Sequence, residues 1–324
     1  MAIFTGTITK YAQNGLREDL SDVIFNISPE DTPFISAGSR GSAKSVLHEW
    51  QTDSLAAAIS TNQNLEGDDI TDYGSISSTV RVANYCQISR KLVLISGTLE
   101  AVDKAGRKSE LAYQIAKKGS ELKRDMEKDA LENKGGVIGG PTTARVSASI
   151  GAWLKTNTSF DPTTTPGVDP TYTSGVPGAA RTDGTQRAFT TALLDAVISS
   201  MWANGGYPKV LMVGPVNKGK ASAFTTNVTK NYDISTPKPS AYIGAIDVYV
   251  SDFGTLSIVP NRFQRERDAF ILDPDFYGLA FLRPMKVERM AKTGDGEKRM
   301  MLTEWCLVVK NEAALGAVYD LTTS

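Results

Sequence analysis

The sequence contains one histidine, His48, in 324 residues. That excludes a zinc site built on two histidines and leaves a histidine-based catalytic triad without support. Cysteine is nearly as scarce. Cys86 and Cys306 lie far apart in the chain and form no metal or redox spacing. Both are read as reduced thiols of a protein made in a cytoplasm. No run approaches the roughly 20 apolar residues that a membrane-spanning helix needs. The first residues, MAIFTGTITKYAQNGLRED, have no apolar core behind a basic start, so no secretory signal is expected. An excess of either charge is also lacking, since 35 Lys and Arg face 36 Asp and Glu. Specific nucleic-acid binding draws on a basic surface that neutralises phosphates, and mixed charge of this kind argues against it.

What is present is an ordinary folding composition, 41% hydrophobic and 22% charged. The length suits two or three packed cores at about 100–200 residues each. Residues 1–40 read as an arm with little core, with a turn-rich SPEDTPF segment (Ser28 to Phe34). Two alternating, strand-like runs follow. Ser45 to Thr52 puts Val46, His48 and Trp50 on one face, and Ile76 to Ser89 alternates in the same way. The polar stretch between them is too long for a tight turn, so the pair is expected to project as a two-stranded ribbon with a large tip. Such a ribbon is marginal alone in water, and a neighbouring subunit is the natural surface for it to lie on.

The strongest helix signal runs from about Thr98 to Asn133. Leu111, Ile115, Leu122, Met126 and Ala130 form its apolar stripe. Lys117–Glu121, Lys123–Glu127 and Lys128–Glu132 are opposite charges four apart, on a face expected to be mainly solvated. Gly106 is expected to interrupt it, Ser109 to cap its main part and Gly135-Gly136 to stop it. Asn157 to Gln186, rich in Thr, Pro and Gly, reads as functional or disordered. A second helix carries Phe189, Leu193, Val197 and Met201 and stops at Gly205-Gly206. Lys209 to Val213 is a buried strand, Pro215 to Phe224 a short helix, and Ala245 to Val250 and Gly254 to Val259 two strands. From Ala269 onward the chain is mainly β, with TGDG (Thr293 to Gly296) as a hairpin turn.

Three features invite a chemical reading. GPVNKGKA, Gly214 to Ala221, matches a phosphate-binding loop between strand and helix. Ala221, however, stands where Ser or Thr should hold magnesium, and Pro215 removes a backbone N–H from the cradle. A strand–turn–helix is the better account. Glu66, Asp68, Asp69 and Asp72 form an acidic cluster at the ribbon tip, readable as a solvated tip, a cation site or a contact with a basic patch on a neighbour. His48 is read as a half-buried strand or interface residue, and Trp50 and Trp305 as packing residues.

Two stretches carry a resemblance. SPEDTPFISAGSRGSAKSVLHEWQTDSLA (Ser28 to Ala56) and LAFLRPMKVERMAKTGDGEKRMMLTEWCLVVKNEAALGAVYDL (Leu279 to Leu321) resemble signatures of a tailed-bacteriophage major capsid family. The second is the more specific, because AKTGDGEKRMMLTEWCLVVKNE resembles that family's C-terminal β-hairpin. The order of segments fits across nearly the whole chain. The Pro- and Thr-rich stretch and Lys209 to Phe263 are the least diagnostic parts.

The resemblance implies an α+β, Hong Kong 97-like capsid fold. It places an N-terminal arm at 1–44, an extended β-hairpin loop at 45–96 and the long spine helix of a peripheral domain at 97–139. An axial α/β domain takes 140–275, and the C-terminal β part of the peripheral domain takes 276–324. It further implies self-assembly, as pentamers and hexamers, into the icosahedral shell of a virion made in a bacterial cytoplasm. The implied partners are a portal protein, a separate scaffolding protein and in some cases a decoration protein, with weak, non-specific contact to packaged DNA. No catalytic residue, cofactor, metal or membrane contact is implied. Trp50 and Arg81 are expected near the ribbon's contact with a neighbour, and Asp68 and Asp69 at its tip. A compartment shell of the same fold, encapsulin-like and housing a cargo enzyme, is the alternative, followed by a nucleotide-binding enzyme built on Gly214 to Ala221.

Overall fold

Alternating and apolar runs late in the sequence build most of two sheets, seen in a computed structural model that describes residues 31–67, 69, 76, 78–104, 106–163, 165–224 and 247–323. The first elements in chain order are α1 (Pro33–Ala37), β1 (Ser39–Ser42), β2 (Leu47–Thr52), β3 (Val80–Tyr85) and β4 (Gln87–Ser96). Helices α2 (Gly97–Ala101), α3 (Glu110–Leu131) and α4 (Ile150–Trp153) follow, then short strands β5 (Thr158–Ser159), β6 (Tyr172–Thr173) and β7 (Val176–Pro177). Next come α5 (Thr191–Ala203), β8 (Val210–Val213), α6 (Pro215–Ser222), β9 (Val248–Ser251) and β10 (Gly254–Pro260). The last are β11 (Ala269–Leu272), β12 (Tyr277–Arg289), β13 (Gly296–Val309) and β14 (Gly316–Val318).

A four-stranded sheet runs β1-β12-β13-β4. Its centre is the long β12–β13 hairpin, turned at Thr293–Gly296 as the sequence predicts, with Gly294 at φ 93°, where glycine is favoured. A six-stranded sheet runs β5-β14-β11-β8-β10-β9. Strands β8 and β11 are covered on both faces, which is why they read as unbroken apolar runs. Leu211, Val213, Ala269 and Ile271 join Leu194, Val197, Ile198 and Met201 of α5. Met212, Phe270 and Leu272 turn the other way, into a core shared with Leu279, Trp305, Leu307 and Val309 of the first sheet. The two sheets thus meet through one apolar layer.

Helix α3 covers one face of the first sheet. Ser109 caps it as expected, its Oγ accepting from Ala112 N at 3.2 Å. Leu122, Met126 and Ala130 are buried, whereas Leu111 and Ile115 nearer its start are half-buried. The charged face differs from expectation. Lys128–Glu132 pairs at 3.4 Å, but Glu121 takes Lys118 at 2.7 Å. Glu127 is not on the solvated face at all. It is fully buried and accepts from the backbone N–H groups of Phe34 and Ile35, both at 2.8 Å, and from Asn261 Nδ2 at 2.6 Å. Burial raises its pKa against the pull of those three donors.

That capture corrects the reading of residues 1–40 as an arm with little core. Residues 1–30 lie outside the described residues, but from Pro33 the arm is tied down. Phe34 is buried and stacks on Tyr277 with centroids 4.5 Å apart, and β1 pairs in parallel with β12. A second correction concerns Ile76 to Ser89, read as one strand. It breaks at Cys86. Strand β3 pairs with β2, and β4 turns away to pair with β13. The strand expected at Ala245 to Val250 is β9, with 225–246 outside the described residues.

Candidate assembly surfaces

The ribbon begins as six cross-strand pairs, Leu47↔Tyr85 to Thr52↔Val80. Its root is clamped to the body from both sides. Trp50 donates its Nε1–H to Val309 O at 3.0 Å and lies 5.4 Å, centroid to centroid, from Trp153. His48 lies 5.7 Å from the Trp50 ring, and partial burial lowers its pKa. On β3, Val82 and Ala83 are buried, and Ala83 N donates to Gly175 O in the β6–β7 hairpin at 3.0 Å.

Asn84 ties this root together. It is fully buried, and its Nδ2 donates to Leu307 O (2.7 Å), Ser147 Oγ (3.1 Å) and Ala148 O (3.2 Å). Its Oδ1 accepts from Ala148 N at 2.8 Å and Tyr85 N at 2.9 Å. One side chain therefore joins the ribbon to β13 and to the segment before α4. Nothing in an alternating strand marks such a residue in advance. Truncating it strands several buried polar groups, each costing about 1–3 kcal/mol. Asn84→Ala is expected to lower the urea midpoint accordingly. An unchanged midpoint would show that the knot is dispensable.

Past Thr52 and Val80 the ribbon leaves the body. Among the described residues, Leu55 is 98% exposed and Ile76 99%, with Ile59, Leu65 and Val80 also exposed. Between Asp53 and Val80 the sequence holds Asp53, Glu66, Asp68, Asp69 and Asp72 and no Lys or Arg. The tip is therefore apolar and acidic together in sequence, and no other described residue covers the exposed ones.

A second surface that no other described residue covers lies on the face of the first sheet opposite α3. Ile88, Arg90, Leu92 and Leu94 alternate outward along the edge strand β4. The ladder sets Leu92 beside Met300, Leu94 beside Lys298 and Arg90 beside Leu302, with Lys286 of β12 next in the row. Directly paired residues share a face. The result is an apolar strip with Arg90, Lys286 and Lys298 along it and Glu288 beside Met300, basic on balance and so opposite in charge to the ribbon tip.

This architecture matches known proteins. The family model for the SU10 major capsid protein matches residues 4–322. The chain belongs to the SU10 major capsid protein family. The major capsid protein of Escherichia phage Phieco32 is 36% identical over 169 residues, 52% of this chain and 45% of that protein. The match thus spans about half the length of that curated relative. Among solved structures, the capsid asymmetric unit of Cyanophage A-1(L) gives a TM-score of 0.65 at 12% identity, over 97% of this chain and 99% of that chain. A chain of Gordonia phage Cozz gives 0.61 at 12% identity, over 99% and 98%. These likenesses show the fold: this capsid protein has the α+β, Hong Kong 97-like architecture.

The residues singled out from the sequence fall in different places. Trp50 packs on its own chain, at the ribbon root. Arg81 sits where the ribbon leaves the body, largely exposed, 3.3 Å from Glu49 Oε1. Asp69 is exposed, and Asp68 lies outside the described residues. Trp50 and Arg81 are one register step apart in the β2–β3 ladder, on opposite faces of the ribbon.

The Gly214 to Ala221 motif is a strand–turn–helix. Helix α6 starts at Pro215, directly after Gly214, so no loop remains to wrap a phosphate. The place of an anion is taken by the chain itself: a Cβ added at Gly214 would stand 2.6 Å from Glu266 Oε2. Lys220 is engaged too, its Nζ donating to Thr322 Oγ1 at 2.5 Å. A nucleotide site here is therefore set aside. No three His, Cys, Asp or Glu among the described residues are grouped to hold a metal ion, and no helix among them is long and apolar enough to cross a membrane.

The Pro- and Thr-rich stretch proves to be anchored. Arg181, nearly fully buried, reaches Asp320 through both terminal nitrogens, at 3.2 and 3.5 Å, and lies 4.0 Å over the Tyr319 ring. Asp169 is 3.6 Å from its Nε. Asp320 also accepts from Gly184 N at 2.8 Å and Arg267 Nη2 at 3.3 Å. Nearby, Arg265 bridges Asp183 at 2.5 Å and Asp268 at 3.3 Å, and burial pushes Asp268 up to about 7. Gly167 and Gly184 make room, since a Cβ at Gly167 would stand 2.2 Å from Arg181 Nη2.

Proposed function

We propose that this capsid protein assembles, through its ribbon, into the icosahedral shell that encloses phage DNA. The observation that carries the reading is the ribbon itself, firmly clamped at the root and uncovered at an apolar, acidic tip. The sheet face with Arg90, Lys286 and Lys298 offers the matching surface on a second copy. Tip and face are different patches of one chain, so their contact is head-to-tail, and such contacts close into rings when the rotation permits. Pentamers and hexamers are rings of that kind. Each contact is modest, and many copies together make the shell stable. Arg81 and Asp69, with Asp68, belong to the docking segment, whereas Trp50 fixes the angle at which it leaves.

A closed shell filled with DNA also calls for a portal at one vertex, a separate scaffolding protein to set curvature and, on some shells, a decoration protein. Mixed charge suits a wall that touches DNA weakly. The chain is made in the bacterial host and ends in the virion. Electron microscopy of the expressed protein, alone and with its genomic neighbours, tests the reading. Uniform polyhedral shells are expected, and DNA in particles purified from infected cells. Protein cargo in place of DNA would point to a compartment shell, and the absence of any shell would sink both.

A further inference from the structure

The two cysteines are far apart in sequence and adjacent in the fold. The β13–β4 ladder ends at Trp305↔Gln87, so the next residue on each strand sets Cys306 opposite Cys86. Both are fully buried, in a small cluster with Ala43 and Ala280. Both are free thiols, near enough that each perturbs the other's ionisation, and Cys86 Sγ donates to Ser45 O at 3.6 Å. The methyl groups of Ala43 and Ala280 line the pair, and the partly buried Leu282 and Val308 pack against the same cluster. Cys86 N donates to Val46 O at 2.8 Å, which places the pair at the junction where the ribbon root joins the sheet.

We propose that Cys86 and Cys306 form a latent disulfide, closed by a low-molecular-weight disulfide oxidant, that staples the ribbon root to β13. The reaction is two exchanges. The Cys86 thiolate attacks the oxidant's S–S bond, forming a mixed disulfide and releasing one small thiol. The Cys306 thiolate then attacks Cys86 Sγ and releases the second. The cysteines lose two electrons and two protons, and the reduced oxidant carries both away as two thiols. The Cys306 thiol lowers the Cys86 pKa and is itself raised, and the two exchanges balance in either order. A reducing cytoplasm keeps the bond open, and an oxidising exterior closes it. Buried sulfurs react through local opening, so closure follows the opening of the β4 end. The proposal goes beyond the shell reading and does not depend on it.

The full chain, purified under reduction, is incubated with oxidised glutathione in native buffer and in urea below its unfolding transition. It is then denatured with N-ethylmaleimide and weighed. The chain has only these two cysteines, so the readout is unambiguous. The expected product is a monomer two hydrogens lighter, with no alkylated cysteine, a joined Cys86–Cys306 peptide and a raised melting temperature that dithiothreitol reverses. Cys86→Ser and Cys306→Ser chains should stop at the glutathione adduct. Two alkylated cysteines at every urea concentration, stable adducts on both, or only intermolecular dimers would overturn the proposal.

Discussion

A chain lacking Leu55–Tyr73 is expected to fold, stay soluble and form no shells. The described part of that segment, Leu55 to Gly67 and Asp69, is exposed throughout, so its removal takes little from the described core. The root contacts all remain: Trp50 on Val309 and Trp153, Asn84 on β13, Ala83 on Gly175. Residues 53–54 and 74–79 remain to connect strands paired at Thr52↔Val80, enough for a hairpin loop. What is lost is the only long projection among the described residues. Because a shell depends on the same contact repeated around every ring, losing it is not a graded effect. Thermal melting by circular dichroism should stay close to the parent, while sedimentation and negative-stain microscopy find subunits without particles. Normal particles from the deleted chain would sink the ribbon reading. A chain that fails to melt cooperatively would place the tip in the subunit's own folding instead.

Elements defined by nearby residues were legible in advance. The Ser109 cap, the Gly205-Gly206 stop and the Thr293–Gly296 hairpin depend on turn chemistry within a few positions. Helix α5 ends as that reasoning requires, with Gly206 N donating to Met201 O at 2.8 Å. Features set by distant partners were not legible. Alternation from Ile76 to Ser89 states a period but not a neighbour, and the switch of partner strand at Cys86 leaves no local mark. Glu127 sits four residues from Lys123, as a solvated pair would. Its actual partners are two backbone N–H groups and the Asn261 side chain, all more than ninety positions away. The cysteines show the same limit, since their separation in sequence concealed a contact made by strand register. The candidate surfaces divide likewise. The acidic, apolar tip was readable from composition, whereas the facing strip of Leu92, Leu94, Met300 and Leu302 exists only once β4 lies beside β13.

Asp320→Ala is expected to destabilise the subunit by about 3–5 kcal/mol, the usual cost of removing one partner from a buried ion pair. Asp320 is fully buried and serves Arg181, Arg267 and the Gly184 N–H together. Alanine leaves Arg181 with only the longer contacts to Asp169 (3.6 Å) and Asp183 (3.8 Å). The backbone adds to the cost, since Asp320 sits at φ 60°, where Asp and Asn are tolerated better than alanine. Asp320→Asn should be milder, because it keeps that backbone and an acceptor for Gly184, yet still costly, because it loses the charge and puts an N–H donor against Arg181 Nη2. Urea unfolding at fixed pH, compared at equal m, gives the ranking parent, then asparagine, then alanine. If the alanine variant fell within about 1 kcal/mol of the parent, the network would not hold the 157–186 stretch to the C-terminal strand, since losses that small suit an exposed pair. The two variants separate folding from assembly. Ribbon deletion removes shells and spares the subunit, whereas Asp320→Ala weakens the subunit with the ribbon intact. The buried arginines and aspartates also change the meaning of the near-zero net charge. Part of that balance is internal, so the charge met by DNA or a neighbouring copy follows from where the remaining charges lie, acidic on the ribbon tip and basic on the open sheet face.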